Sequence, residues 1–219
     1  MNRVALKGDA KNAMREALVS PYLVTIIMGI ILFVLSVIQF FLDKWQEILI
    51  NSGDRATMDQ WWPYIIFSIG FFVIYFIIST LLEFGYQSFC LKVAKRDGSM
   101  SYGDLFSSAA YLLKALGLCL MMGIFVTLWS LLLIIPGIVA SLRYSQAIFI
   151  MVENPDKGVF ECIRESKNMM DGRLWEFFVL NLSFILWNLL GLVTCGLAYI
   201  YVSPYMNVTL ANYYNQIKP

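Results

Sequence analysis

Long apolar runs constrain the fold of this chain more than any other feature of its sequence. The first run extends from Tyr22 to Leu42, and Gln39 is its only strongly polar interior residue. A helix of about 20 apolar residues is long enough to cross the hydrocarbon core of a bilayer. The whole chain of 219 residues is 59% apolar and 14% charged, which leaves too little polar surface for a soluble domain. We therefore expect an all-α, polytopic integral membrane protein.

Six such segments are predicted to form transmembrane helices of a single membrane domain, residues 1–219. Pro136 and Gly137 predict the turn between spans three and four, and Ser203-Pro204 predicts an interruption of span six. Gly85 predicts either a bend or a close packing point in span two. Span four has only 15 residues, so we expect it to be short, tilted or partly exposed to water. The predicted spans are about 22–42, 63–91, 114–135, 138–152, 174–193 and 197–214.

The basic residues predict the orientation of these spans. Four bases precede span one, four lie from Lys92 to Lys114, and four lie from Lys157 to Arg173. The first outer loop has two bases, and the turns after spans three and five have none. Because an excess of Lys and Arg marks cytoplasmic segments, the pattern predicts that both termini are cytoplasmic. The first span is then expected to be an uncleaved anchor rather than a signal peptide.

Two basic segments outside the spans have the spacing of amphipathic helices. In residues 2–18 and again in residues 156–173, apolar side chains recur at helical intervals between Lys and Arg. A helix with one apolar and one basic face is typical of a segment that lies in the membrane interface. We predict two interfacial helices on the cytoplasmic leaflet.

Two ionisable residues, Glu83 and Arg143, fall inside the predicted spans. From the rise of an α-helix, Arg143 is expected roughly 15 Å from the inner surface, and Glu83 at a similar depth. An unpaired charge at the middle of a bilayer costs at least about 2.5–3.5 kcal/mol. We therefore predict that the two side chains pair between spans two and four. Such a pair either fixes the register of the helices and binds nothing, or forms part of a binding cleft.

Other polar residues on spans two, four, five and six are predicted to line an intramembrane cleft together with this pair. Asn181 and Asn188 are seven residues apart and therefore share one helix face. Interrupted helices are the places where membrane proteins expose backbone groups to a site. The predicted cluster consists of Glu83, Gln87, Arg143, Tyr144, Gln146, Asn181, Asn188, Tyr201, Tyr205 and Asn207.

The sequence argues against most kinds of enzyme. It has no histidine, which removes the commonest general base and metal ligand. The four cysteines are isolated from one another and are expected to be small buried residues. The motifs of zinc proteases, serine hydrolases and nucleotide-binding loops do not occur. We predict no catalytic residue, no cofactor and no metal site, and the net charge of +1 gives no reason to expect a nucleic-acid partner.

A series of short motifs runs along most of the chain. They are Glu83-Phe-Gly-Tyr-x-x-Phe-x-Leu, Asp104-Leu-Phe, Ile135-Pro-Gly-Ile, Arg143-Tyr-Ser, Glu153-Asn-Pro, Ser166 with Met169 and Gly172, and Pro204-Tyr with Tyr213-Tyr. In these motifs the sequence resembles the bacterial integral-membrane family catalogued as domain of unknown function nine-seven-five. The resemblance implies a bacterial plasma membrane. It supplies no established activity, so no catalytic residue is carried over.

Three functions fit these observations, and they belong to different classes. The leading hypothesis is a non-enzymatic membrane protein that binds or transports a lipid or a hydrophobic peptide in the polar cleft, in envelope homeostasis or peptide resistance. A second hypothesis is a structural partner or scaffold for another membrane protein, acting through its cytoplasmic amphipathic helices. A membrane enzyme that acts on lipid is the third. The expected partners are therefore membrane lipids, with a hydrophobic peptide or a partner membrane protein as alternatives.

Overall fold

The computed structural model describes residues 3–51 and 58–218, and every regular element in this part of the chain is a helix. One of these elements is a 3₁₀ helix, Tyr102–Tyr111. Ser101 caps it, and the Asp104 carboxylate accepts a bond from the backbone N–H of Ser101 at 2.9 Å. The α-helices are α1 Arg3–Glu16, α2 Pro21–Asn51, α3 Met58–Lys95, α4 Leu112–Leu132, α5 Ile134–Tyr144, α6 Ala147–Glu153, α7 Val159–Met170, α8 Leu174–Leu182, α9 Ile185–Val193 and α10 Tyr199–Ile217.

Five helical segments of the described residues are long and apolar enough to cross a membrane. They overlap the first five predicted spans, and α2 continues past the predicted end of span one. The polar residues of that extension form contacts along the helix. Asp43 accepts a hydrogen bond from Gln39 at 2.8 Å, and Lys44 pairs with Glu47 at 2.6 Å. The five segments are Pro21–Asn51, Trp61–Lys95, Tyr102–Leu132, Ile134–Glu153 and Leu174–Val193.

The predicted sixth span coincides with α10, which is not among these five segments. This helix packs against α1, α2 and α3, and many of its side chains are buried, including the polar Thr209. A helix that packs against several other helices does not need lipid-compatible side chains on all its faces. This packing explains the low mean hydropathy of α10. Whether it spans the bilayer stays a prediction.

The core lies between α10 and the second half of α3. Phe84, Phe89 and Tyr213 are fully or almost fully buried there. In contrast, the first half of α3 and most of α2 expose large apolar side chains, such as Phe33 and Phe72. The exposed surface of these helices has the character expected of a lipid-facing surface.

Two predicted spans are each broken in the middle. The fourth divides into α5 and α6 at Ser145-Gln146, and the fifth divides into α8 and α9 at Ser183-Phe184. The predicted interruption at Ser203-Pro204 is wrong, because α10 continues through Pro204. That proline lies near the beginning of the helix and removes only one backbone hydrogen bond.

The turn between α4 and α5 also differs from the prediction. It lies at Leu133, whose backbone is extended, and Pro136 and Gly137 belong to the first turns of α5. Proline is tolerated there because the first N–H groups of a helix have no partner within the helix. A Cβ atom on Gly137 would lie 2.0 Å from Ser130 Oγ, so this glycine allows α5 to approach α4 closely.

The two amphipathic helices bury their apolar faces against the same chain. In α1, Leu6, Ala10 and Ala13 are buried, and the helix packs against α10 and α3. Helix α7 buries Cys162 and Ile163 and packs against α4, α5 and α6. Part of each apolar face is thus packed within the protein, and the location of these helices in the membrane interface stays a prediction.

Candidate functional site

Three of the predicted residues line one cavity of about 260 Å³. Gln87 comes from α3, Gln146 from the break between α5 and α6, and Asn181 from α8. The cavity therefore lies where four predicted spans meet, because α10 also contributes Leu210. The rest of the lining consists of Ser141, Leu142, Ser145, Ile148, Phe149 and Phe177. We call this space the amide cavity.

Gln87 is held in place by two other predicted residues. Its Nε2 donates to Glu83 Oε1 at 3.0 Å and to Asn207 Oδ1 at 2.9 Å. Asn207 is itself fixed, since its Nδ2 donates to the carbonyl of Ser203 at 2.9 Å. These bonds use both N–H donors of the Gln87 amide, and its Oε1 is buried without a hydrogen-bond partner.

Gln146 is a second glutamine of the amide cavity whose side-chain amide has an unpaired oxygen. Its side chain is fully buried, and its Nε2 donates to Ser145 Oγ at 2.9 Å. Its Oε1 is also buried and has no partner in the described part of the protein. A buried acceptor without a donor typically costs about 1–3 kcal/mol. Both oxygens belong to residues that line one cavity, so a ligand that supplies hydrogen-bond donors would satisfy them if the amides turned towards it.

The break beside Gln146 is stabilised by Ser166 of α7. Its hydroxyl donates to the carbonyl of Arg143 at 2.7 Å and accepts a bond from the backbone N–H of Gln146 at 3.2 Å. One buried side chain therefore satisfies backbone groups on both sides of the break. Sequence reasoning did not include Ser166 in the site. The available signal was a hydroxyl in the apolar stripe that Cys162, Ile163 and Met170 form on this helix.

Arg143 and Tyr144 do not line the amide cavity. They line a second cavity, of about 220 Å³, together with Lys167 of α7 and Trp129 of α4. The predicted ion pair between Glu83 and Arg143 is not present among the described ion pairs. Helix α3, which carries Glu83, packs against α6, whereas Arg143 belongs to α5, which packs against α4, α7 and α8.

Tyr201 and Tyr205 belong to an aromatic cluster with Phe184 and Trp187. The rings of Tyr205 and Phe184 are 5.5 Å apart, and those of Trp187 and Tyr201 are 6.2 Å apart. The last predicted residue, Asn188, lies on α9 nearby, and its backbone carbonyl accepts a bond from the hydroxyl of Tyr199 at 3.2 Å. None of these three predicted residues lines the amide cavity.

Lysine residues of α1 approach this aromatic cluster. Lys7 Nζ is 4.0 Å from the centre of the Phe184 ring and 3.4 Å from the carbonyl oxygen of Ser183, at the break between α8 and α9. Partial burial lowers the pKa of the Lys7 ammonium, and the nearby charges of Arg3 and Lys11 lower it further. Each break is therefore contacted by a side chain from one of the two amphipathic helices.

Within residues 3–51 and 58–218, no cluster of three or more acidic or cysteine side chains is arranged to hold a metal ion. The groups that meet at the amide cavity are amides, two serine hydroxyls and, through Gln87, one carboxylate. Such groups orient and recognise a polar ligand by hydrogen bonding.

The comparisons with known proteins give a family and no function. A family model described as "Protein of unknown function (DUF975)" matches residues 1–140 and 131–219, which together cover the whole chain. Neither the curated proteins nor the solved structures gave a match to this chain.

Proposed function

The chain belongs to the DUF975 family, whose function is unknown, and we propose that it is a non-enzymatic, multi-pass membrane protein that binds an amphiphile in the amide cavity. The observation that carries this proposal is the pair of buried amide oxygens on Gln87 and Gln146 that have no hydrogen-bond donor. Both residues line the same cavity, next to a helix break.

The chemistry of the cavity restricts the ligand. Unpaired amide oxygens are acceptors, so the bound group carries N–H or O–H donors. A volume of about 260 Å³ accommodates a head group but not a whole lipid. The apolar part of the amphiphile then lies outside the cavity, along the exposed apolar surface of the helices. Hydroxylated lipids and hydrophobic peptides, with their backbone N–H groups, have this combination of properties.

The proposed setting is the bacterial plasma membrane, crossed six times, with both termini in the cytoplasm. The distribution of basic residues supports this topology. A contact in the fold supports it as well, because Glu153 at the end of α6 accepts bonds from Lys95, Tyr214 and Lys218. The ends of α3, α6 and α10, which are the second, fourth and sixth predicted spans, thus meet at one side of the protein.

The scaffold alternative receives less support from the fold. It requires the amphipathic helices to offer a surface to a partner protein. Much of the apolar face of α1 and of α7 is covered by helices of the same chain, although Val4 and Phe160 are exposed. Amphiphile binding instead uses a cavity and unsatisfied polar groups that the structure contains.

Native mass spectrometry of the gently solubilised protein, with identification of bound molecules, tests the proposal. We compare the wild type with Gln146→Met, which keeps the length of the side chain but removes the amide. Gln216→Met is the matched control, because Gln216 is an exposed glutamine near the end of α10 that does not line the amide cavity. We expect a defined amphiphile on the wild type and the control, and its loss from Gln146→Met.

The same measurement contradicts the proposal if all three proteins carry equal and nonspecific lipid. Circular dichroism and size-exclusion chromatography of each variant establish that it is folded. A stoichiometric partner protein that co-purifies with both variants, without a bound amphiphile, would favour the scaffold function.

A further inference from the structure

Two cationic side chains share the cavity of about 220 Å³ that Arg143 and Tyr144 line. Arg143 from α5 and Lys167 from α7 line it together with Trp129, Tyr144 and Pro136. We call this space the cationic cavity. Its remaining lining, Val139 and Ala140, is apolar.

Neither cation in this cavity has an acidic partner in the part of the chain that the structure describes. Some bases of the same region are paired: Lys157 contacts Glu165 at 2.6 Å, and Lys95 contacts Glu153. Arg164 also has no ion pair among the described residues, so the feature that sets Arg143 and Lys167 apart is the cavity that they share.

Two cations that line one cavity from two helices together offer positive charge to a bound anion. The planar guanidinium group of Arg143 matches the oxygen geometry of a phosphate, and the ammonium group of Lys167 adds a compact positive charge. Trp129 and Tyr144 are of the residue types that are enriched at the level of lipid head groups. We propose that the cationic cavity binds a phosphate group, with Arg143 and Lys167 as its ligands.

The surroundings favour a phospholipid as the source of this phosphate. The two helices α4 and α5, which both line the cavity, expose apolar side chains within the predicted spans, such as Leu128 and Ile138, which would lie along acyl chains. This inference does not depend on the amide cavity, since Arg143 and Tyr144 line one cavity and Ser145 and Gln146 line the other.

The test is a binding titration of the full chain, solubilised in a phosphate-free detergent and followed by native mass spectrometry. The probes are phosphatidylglycerol, a diacylglycerol with the same acyl chains, and inorganic phosphate. The variants are Lys167→Gln, the double variant Arg143→Gln with Lys167→Gln, and the control Arg164→Gln. Arg164 is an exposed base of the same helix that does not line the cavity, so its replacement changes the net charge equally.

We expect the wild type and Arg164→Gln to prefer phosphatidylglycerol to diacylglycerol. The double variant is expected to bind phosphatidylglycerol about tenfold more weakly, because it lacks both charge-assisted contacts. Lys167 is exposed, so the single variant is expected to fold normally and to show part of this loss. Gln146→Met is expected to keep this binding, which separates the present inference from the proposed function.

Two other outcomes are informative. If inorganic phosphate binds with the same dependence on Arg143 and Lys167 while phosphatidylglycerol does not, the site is supported and its ligand is free phosphate. If the double variant and Arg164→Gln bind all three probes as the wild type does, the inference is overturned.

Discussion

The hydroxyl of Ser166 accepts a hydrogen bond from the backbone N–H of Gln146 at 3.2 Å, across 20 residues of sequence. The same hydroxyl donates to the carbonyl of Arg143, so one residue of α7 holds both ends of the break between α5 and α6. Residues beside this break line both cavities: Arg143 and Tyr144 line one, and Ser145 and Gln146 line the other. The geometry of both candidate sites consequently depends on a contact with α7.

Replacing Ser166 with alanine is expected to destabilise the protein by about 1–3 kcal/mol, because it leaves buried backbone groups of Arg143 and Gln146 without their partner. Ser141→Ala is the matched control. Its hydroxyl is exposed and bonds only to the carbonyl of Ile138 in its own helix, so its removal should change stability by less than about 0.5 kcal/mol. Chemical unfolding in detergent micelles measures both, and equal effects would show that Ser166 does not support the break.

The positions of the helix breaks show what the sequence can and cannot predict. Hydropathy predicts where the apolar helices lie because the lipid-facing surface depends on local composition. The breaks at Ser145-Gln146 and Ser183-Phe184 contain neither proline nor glycine, and distant side chains, Ser166 and Lys7, contact them. Such breaks are tertiary features, and no local signal marks them.

The sequence predicts some residues of the candidate site and misplaces others, because contacts between distant helices decide which residues meet. Gln87, Gln146 and Asn181 were placed in one cleft because polar residues at membrane depth avoid lipid and face one another. Arg143 was assigned to that cleft from its depth along one straight helix. Depth does not determine which neighbour a helix face meets, and the fold turns Arg143 towards the cavity that Lys167 also lines.

Gly85 of α3 is expected to tolerate no side chain. A Cβ atom built there would lie 1.9 Å from the carbonyl oxygen of Leu105, which belongs to the 3₁₀ helix packed against α3. The glycine is therefore a close packing point, and Gly85→Ala should cost more than about 2 kcal/mol of stability. Gly70→Ala on the same helix has open space around it and should be neutral or stabilising by up to about 1 kcal/mol. Thermal unfolding of the two variants gives the comparison, and a stable Gly85→Ala protein would contradict the packing of these two helices.

Tyr86 connects three helices through its hydroxyl. The hydroxyl lies 2.9 Å from Thr25 Oγ1 of α2 and 3.3 Å from Ser203 Oγ of α10. Tyr86→Phe keeps the ring but removes these bonds, and we expect a loss of about 1–2 kcal/mol. Tyr75→Phe is the control on the same helix, because Tyr75 is exposed and its ring lies 6.2 Å from that of Phe71. The measurement is again chemical unfolding, and a control as destabilised as Tyr86→Phe would exclude a specific role for the buried hydroxyl.

A double-mutant cycle decides whether Glu83 and Arg143 interact. Since the structure places no ion pair between them, the effects of Glu83→Gln and Arg143→Gln on stability should add to within about 0.5 kcal/mol. The same cycle on Glu153 and Lys95, which form an ion pair, should give a coupling energy of about 1 kcal/mol. Coupling between Glu83 and Arg143 as large as in this reference pair would restore the ion pair that the sequence predicts. Because Glu83 accepts a bond from Gln87, such coupling would also link Arg143 to the amide cavity through these two residues.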